Sequence, residues 1–178
     1  MMQWALANGF QWDDMSSFFA AEKGRLEMLQ WLHENGCPWS ELSCCAAAGC
    51  GQVECLKWLH ENGCPWGERT CADAAWSGSL KCLKYAHENG CPWDVWTCRY
   101  AAWEGHLDCL KYARDNGCPW GLNVLGVAAE RGSLETLKYA YENGCPYNKK
   151  DILKCANSKY PEIQEWAEFV GLLGELDA

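Results

Sequence analysis

The sequence predicts an all-α solenoid of short helix-turn-helix repeats, about six stacked units with the first one incomplete. Three observations carry this reading. The string NGCPW, or a one-letter variant, recurs every 27 residues, at Asn35–Trp39, Asn62–Trp66, Asn89–Trp93, Asn116–Trp120 and Asn143–Tyr147. Between the strings, apolar residues return at three- and four-residue spacing, the period of a helix face. Glycines and a proline punctuate every unit at fixed offsets. A period between about 20 and 50 residues implies an array whose units bury their apolar faces only against neighbours, with no single compact active-site domain.

In chain order, Asn8-Gly9-Phe10-Gln11-Trp12 is a degraded copy of the string, and residues 1–10 align without gaps on Met28–Cys37. The chain therefore starts in mid-repeat: 1–12 a partial unit, 13–147 five repeats, 148–178 an irregular capping unit, all one domain. In the unit Trp66–Cys91 a first helix spans Glu68–Trp76 and stops at Gly78, where the residue past a helix end commonly adopts the left-handed conformation. A second helix spans Ser79–Glu88 and ends at Asn89-Gly90, with Pro92 preventing continuation. Ser40, Asp94 and Asn148 follow the loop aromatic and suit the N-cap of the next first helix. Leu80, Cys82, Leu83 and Ala86 form the apolar face of the second helix, and Lys81, Lys84 and Glu88 the solvated one. The last unit carries Lys149, Lys150, Lys154 and Lys159 and opens its final helix with Pro161, a polar C-terminal cap. The N-terminal edge lacks its covering first helix and is open to further repeats or a second chain.

The segment AAWEGHLDCLKYARDNG, Ala101–Gly117, resembles the ankyrin consensus AAxxGHLExVKLLLxxG, and the resemblance repeats from Ala20 and from Ala128. It implies an antiparallel helix pair per repeat, a superhelical stack, and first helices lining a concave face. The period is shorter than that family's 33 residues, which places the deletion in the β-hairpin finger. The chain resembles short, cysteine- and tryptophan-rich ankyrin repeats of protist type. Two aromatic columns replace the finger as glue: Trp12, Trp39, Trp66, Trp93, Trp120 and Tyr147 in the loops, and Trp4, Trp31, Trp58, Tyr85, Tyr112, Tyr139 and Trp166 in the second helices.

A net charge of −9 without any Lys/Arg cluster argues against nucleic acid and anionic lipid as partners. No apolar run approaches the ~20 residues of a membrane span, and no basic-then-apolar leader is seen, so the expected location is intracellular, in the cytoplasm. The fourteen cysteines fall mostly into columns. Equivalent positions of stacked helices lie about 8–10 Å apart, too far for a disulfide within a column. They read as small buried hydrophobes, with Cys45 and Cys50 the candidates for exposure. His33, His60 and His87 each precede a column cysteine by four residues, and read as cations at helix C-termini rather than as metal ligands. Lys57, Lys84, Lys111 and Lys138 read as an outer face, each four residues before an acid.

No nucleophile, base and orienting group converge, so no catalytic residue, metal or cofactor is expected. The expected function is a non-enzymatic interaction module or scaffold that binds another protein. The alternatives are a structural subunit of a larger assembly and, behind that, a cysteine-based metal or redox protein. Internal comparison of the repeats locates the partner surface at the positions that vary. Trp76, Trp96, Tyr100 and Trp103 form an aromatic patch, flanked by Arg69, Asp73 and Arg99. Glu104, Asn123, Val127, Glu130 and Arg131 extend it. Trp, Tyr and Arg are the residue types that dominate binding hot spots.

Overall fold

A computed structural model describes residues 12–121, 123–150, 152 and 160–172. The partial repeat expected over 1–12 lies outside them except for Trp12, as do Trp4, Lys154, Cys155 and Lys159. Five helix pairs follow one another: α1 Asp14–Glu22 with α2 Leu26–Glu34, α3 Glu41–Gly49 with α4 Val53–Glu61, and α5 Glu68–Trp76 with α6 Leu80–Glu88. Then come α7 Val95–Glu104 with α8 Leu107–Asp115, and α9 Val124–Glu130 with α10 Leu134–Glu142. The helix α11 Pro161–Phe169 has its proline in the first turn as expected, and its Trp166 meets Tyr141 of α10 edge-on at 5.2 Å. No strand occurs among the described residues, and no described helix is long and apolar enough to cross a membrane.

Each letter of the recurring string has a structural task. The Asn89 side-chain amide donates to Tyr85 O at 2.8 Å, and Asn35, Asn62, Asn116 and Asn143 do the same four residues back, each at 2.8 Å. Gly90 has φ +83°. It lets Gly90 N reach His87 O and Cys91 N reach Ala86 O, the paired bonds that close a helix C-terminus. The cysteine then links repeats. Cys37, Cys64, Cys91 and Cys118 donate Sγ–H to the carbonyls of Asp13, Ser40, Gly67 and Asp94, 24 residues earlier, at 3.5, 3.3, 3.2 and 3.3 Å.

The first helices pack on one another more closely than the second helices do. Their facing residues explain it: the Ala pairs Ala47-Ala48, Ala74-Ala75, Ala101-Ala102 and Ala128-Ala129 are wholly buried and bring the backbones together. Second helices present Leu29, Leu56, Leu83, Leu110 and Leu137, which are larger and equally buried. A layer with shorter spacing curves inward, so the first helices line the concave side.

Several sequence expectations change in detail. Ser79 is the N-cap of α6 rather than its first residue. Asp94 caps as expected, its Oδ1 accepting from Trp96 N at 2.9 Å. Ser40 does not; its hydroxyl donates to Asp14 Oδ2 at 2.9 Å and ties α3 to α1. In the fifth unit a glycine holds this slot because there is no room for a side chain: a Cβ on Gly121 would sit 2.8 Å from Val95 O. There α9 begins late, after Asn123 at φ +61°.

The aromatic columns meet across, not along, themselves. Trp39 meets Trp58 edge-on at 5.7 Å, Trp66 meets Tyr85 at 6.2 Å, and Trp93 meets Tyr112 at 6.3 Å. The histidines are part of this ladder: His33, His60 and His87 stack on Trp39, Trp66 and Trp93 at 4.0, 3.8 and 3.6 Å. In the next unit Arg114 takes that role over Trp120 at 4.3 Å and also donates to Cys118 O. The lysine column is likewise not merely solvated. Lys84 and Lys111 lie over Tyr112 and Tyr139 of the following repeat, while Lys57 and Lys138 pair with Glu54 and Glu135 rather than with an acid four residues on.

All thirteen described cysteines are free thiols, and only Cys50 is exposed; Cys45 is buried, contrary to expectation. Cys44, Cys71 and Cys98 neighbour the cysteine of the other column. Hydrogen bonds with Cys64, Cys91 and Cys118, followed by burial, push their ionisation far above the ordinary thiol range. Column-by-column reasoning from the sequence missed these contacts.

Candidate functional site: an aromatic groove on the inner helices

Two helix faces side by side make the site. On α5 the face is Arg69, Ala72, Asp73 and Trp76; on α7 it is Trp96, Arg99, Tyr100 and Trp103. Both sets fall at i, i+3, i+4 and i+7, so each lies on one side of its helix. The two sets are equivalent under the repeat, and together with Glu68 and Asp94 they line an open groove of about 660 Å³. On the flanks the middle positions are small, Cys45 and Ala46 on α3 and Gly126 and Val127 on α9, while the outer ones are Leu42 and Gly49 on one side and Asn123 and Glu130 on the other. Large residues in two adjacent repeats and smaller ones beyond them produce the relief.

The contacts fix the groove's shape. Tyr100 lies between Trp96 at 5.4 Å and Trp76 at 6.5 Å, both tilted. Arg99 stands over Trp96 at 5.1 Å, and Arg131 over Trp103 at 5.3 Å. The Trp76 indole N–H donates to Glu104 Oε1 at 3.1 Å, an oxygen that also pairs with Arg131 at 3.5 Å. Arg69 pairs with Asp73 at 3.4 Å. Burial raises the Asp73 carboxyl above the usual carboxylate range; Arg69 opposes that, and Glu41 adds to it. Trp76 and Trp96 nonetheless remain 54% and 44% exposed, as does Phe19 of α1 at 53%, outside the groove.

Seven of the twelve residues singled out from the sequence thus line one groove: Arg69, Asp73, Trp76, Trp96, Arg99, Tyr100 and Trp103. Glu104 and Arg131 brace it from the side. Asn123 and Glu130 are exposed on the next unit, outside the groove. Val127 is 1% exposed and belongs to the core, so it presents no surface. Glu68, Ala72 and Asp94 line the groove but were not singled out. Glu68 and Asp94 read as ordinary helix-start acids, and Ala72 as core; the i, i+3, i+4, i+7 pattern starting at Arg69 could have found Ala72.

Residues 17–60 match the family model for ankyrin repeats in many copies. The fold is similar to the solved ankyrin repeat domain of human ASB11 with a TM-score of 0.62, over 79% of this chain and 82% of that one at 22% identity. The chain has the fold of an ankyrin-repeat stack. No curated protein matches it. Ankyrin repeats are generally protein–protein interaction modules, and the groove lies on the helix layer that lines the concave side of this stack. The ankyrin helix pair is complete here without strands among the described residues. The cysteine-to-carbonyl bonds and the aromatic ladder hold successive repeats together in their place.

Proposed function

We propose that this ankyrin stack is a non-enzymatic interaction module, working in a reducing intracellular compartment, that docks another protein on the groove between α5 and α7. One observation carries the reading. The scaffold repeats its core almost letter by letter, yet Asp73, Arg99 and Tyr100 stand at equivalent first-helix positions where the flanking units carry Cys45, Ala46, Gly126 and Val127, and Trp76 and Trp103 stand where those units carry Gly49 and Glu130. Packing alone would favour the same residue in every unit. Exposed indoles beside arginines are the composition of binding hot spots, where a few such residues supply most of the affinity. Thirteen unpaired thiols among the described residues suit a reducing location.

The test is affinity purification from the source cells with the native chain and with a Trp76→Ala, Trp96→Ala double variant of unchanged helicity. Both indoles are exposed, so their removal leaves the core intact, unlike that of Trp103, which packs against it. Loss of a specific co-purifying protein is expected. Retention of every partner would move docking away from the groove.

A further inference from the structure

The groove's own contacts indicate what kind of side chain it accepts. In the ankyrin stack, arginines already cover two of its indoles: Arg99 over Trp96, from the same helix, and Arg131 over Trp103, from the next repeat. The residue equivalent to Arg131 with respect to Trp76 is Glu104, since 76 and 103 differ by the same 27 residues as 104 and 131. Glu104 cannot cover an indole face. It takes the indole N–H edge-on at 3.1 Å instead, so among the described residues Trp76 is left with no cation over it and with 54% of its surface exposed. The surrounding charge favours a cation. Arg69 and Asp73 pair with each other, which leaves Glu68 and Asp94 against Arg99 along the groove. The whole chain carries a net charge of −9.

We infer that the groove receives a basic segment of the partner protein, with a lysine or arginine side chain laid on the Trp76 face and its charge answered by the groove carboxylates. This rests on the docking reading above and gives it a chemistry. Cations over tryptophan faces are the strongest of their kind, and carboxylates around them exclude acidic competitors. The alternative, an acidic segment drawn to the arginines, has less to recommend it because Arg69 and Arg131 already face carboxylates.

A displayed library of random twelve-residue peptides, selected on the intact chain, tests this. The expected outcome is a consensus with Lys or Arg at one position, whose affinity falls about tenfold in Trp76→Ala and falls with added salt. A second variant, Glu104→Arg, keeps every groove aromatic in the sequence and puts at the equivalent position the residue that covers Trp103, a cation for Trp76. It should weaken the same peptides by blocking the face, while Glu104→Gln should not. Peptides that depend on Trp76 but are acidic or uncharged would overturn the cation assignment and leave groove docking standing. Peptides indifferent to both Trp76→Ala and Glu104→Arg would overturn both.

Discussion

His87 stacks face to face on Trp93, ring centroids 3.6 Å apart and 8° from parallel, and both rings meet Tyr112 of the next repeat edge-on. One imidazole thus fastens a helix end, the following loop and the adjacent unit. Aromatic pairs of this kind contribute ~0.5–1.5 kcal/mol beyond the area they bury. His87→Ala should therefore lower the urea midpoint by an amount equivalent to ~1 kcal/mol or more, without altering the groove. An unchanged midpoint would mean that the ladder accompanies the stack without stabilising it.

The helix-pair repeat was legible because its causes are local. Asn, Gly and Pro end helices through their own backbone and side-chain chemistry, and the 27-residue recurrence averages out the ambiguity of any single copy. The groove was legible for a different reason: against a scaffold that repeats itself, Trp76 and Tyr100 stand out as departures. What stayed hidden depends on where neighbouring repeats meet. The stacking of His87 on Trp93, the reach of Cys91 to Gly67 O and the contact of Cys71 with Cys91 each join residues whose relative placement follows from the superhelical geometry. The sequence spacing alone left the histidine as a helix-end cation. Val127 was misplaced because variability marks a surface only where the varying residue is too large or too polar to bury.

Gly78 and Gly90 separate two costs of adding a methyl group. Both have positive φ, +71° and +83°. A Cβ on Gly90 meets nothing within 4 Å, whereas one on Gly78 would lie 2.6 Å from His106 Nδ1. Gly90→Ala should cost only the left-handed backbone term, ~1–2 kcal/mol. Gly78→Ala should cost more, and His106→Ala in the same chain should recover the difference. Equal losses at the two glycines would show that the imidazole simply moves aside.

Leu83 and Leu110 are wholly buried on successive second helices. Truncation of either to Ala opens a cavity in a layer with no slack and should destabilise by ~2–5 kcal/mol. Because each repeat touches only its neighbours, chemical denaturation of Leu83→Ala should also lose cooperativity, the two ends of the stack melting apart. A single sharp transition merely shifted to lower denaturant would show that coupling between repeats exceeds the loss.

Burial pushes the Cys82 and Cys45 thiols up to about 12, and those of Cys109 and Cys145 to about 11, from an ordinary 9.0. The folded chain therefore holds protons that the unfolded chain releases, and stability is complete below pH ~9 and lost as pH rises from there towards the folded values. Thermal melts should fall across this alkaline window. At neutral pH a thiol reagent should modify Cys50 quickly and the twelve other described cysteines only on unfolding. Rapid reaction of several buried thiols at pH 7 would show that the repeats open locally.

Asp73 joins binding to stability with opposite signs. Its carboxyl is raised by burial more than Arg69 lowers it, so the charged form is less favourable folded than unfolded. The stability associated with this group is present below the ordinary carboxylate value and lost as pH rises through the folded one. At neutral pH Asp73→Asn removes that burden while keeping the shape, so the melting temperature should hold or rise, and affinity for a basic peptide should fall. Residues kept for recognition commonly show this trade. A lower melting temperature in Asp73→Asn would mean that the pair with Arg69, 3.4 Å away, outweighs desolvation and that Asp73 is retained for the fold.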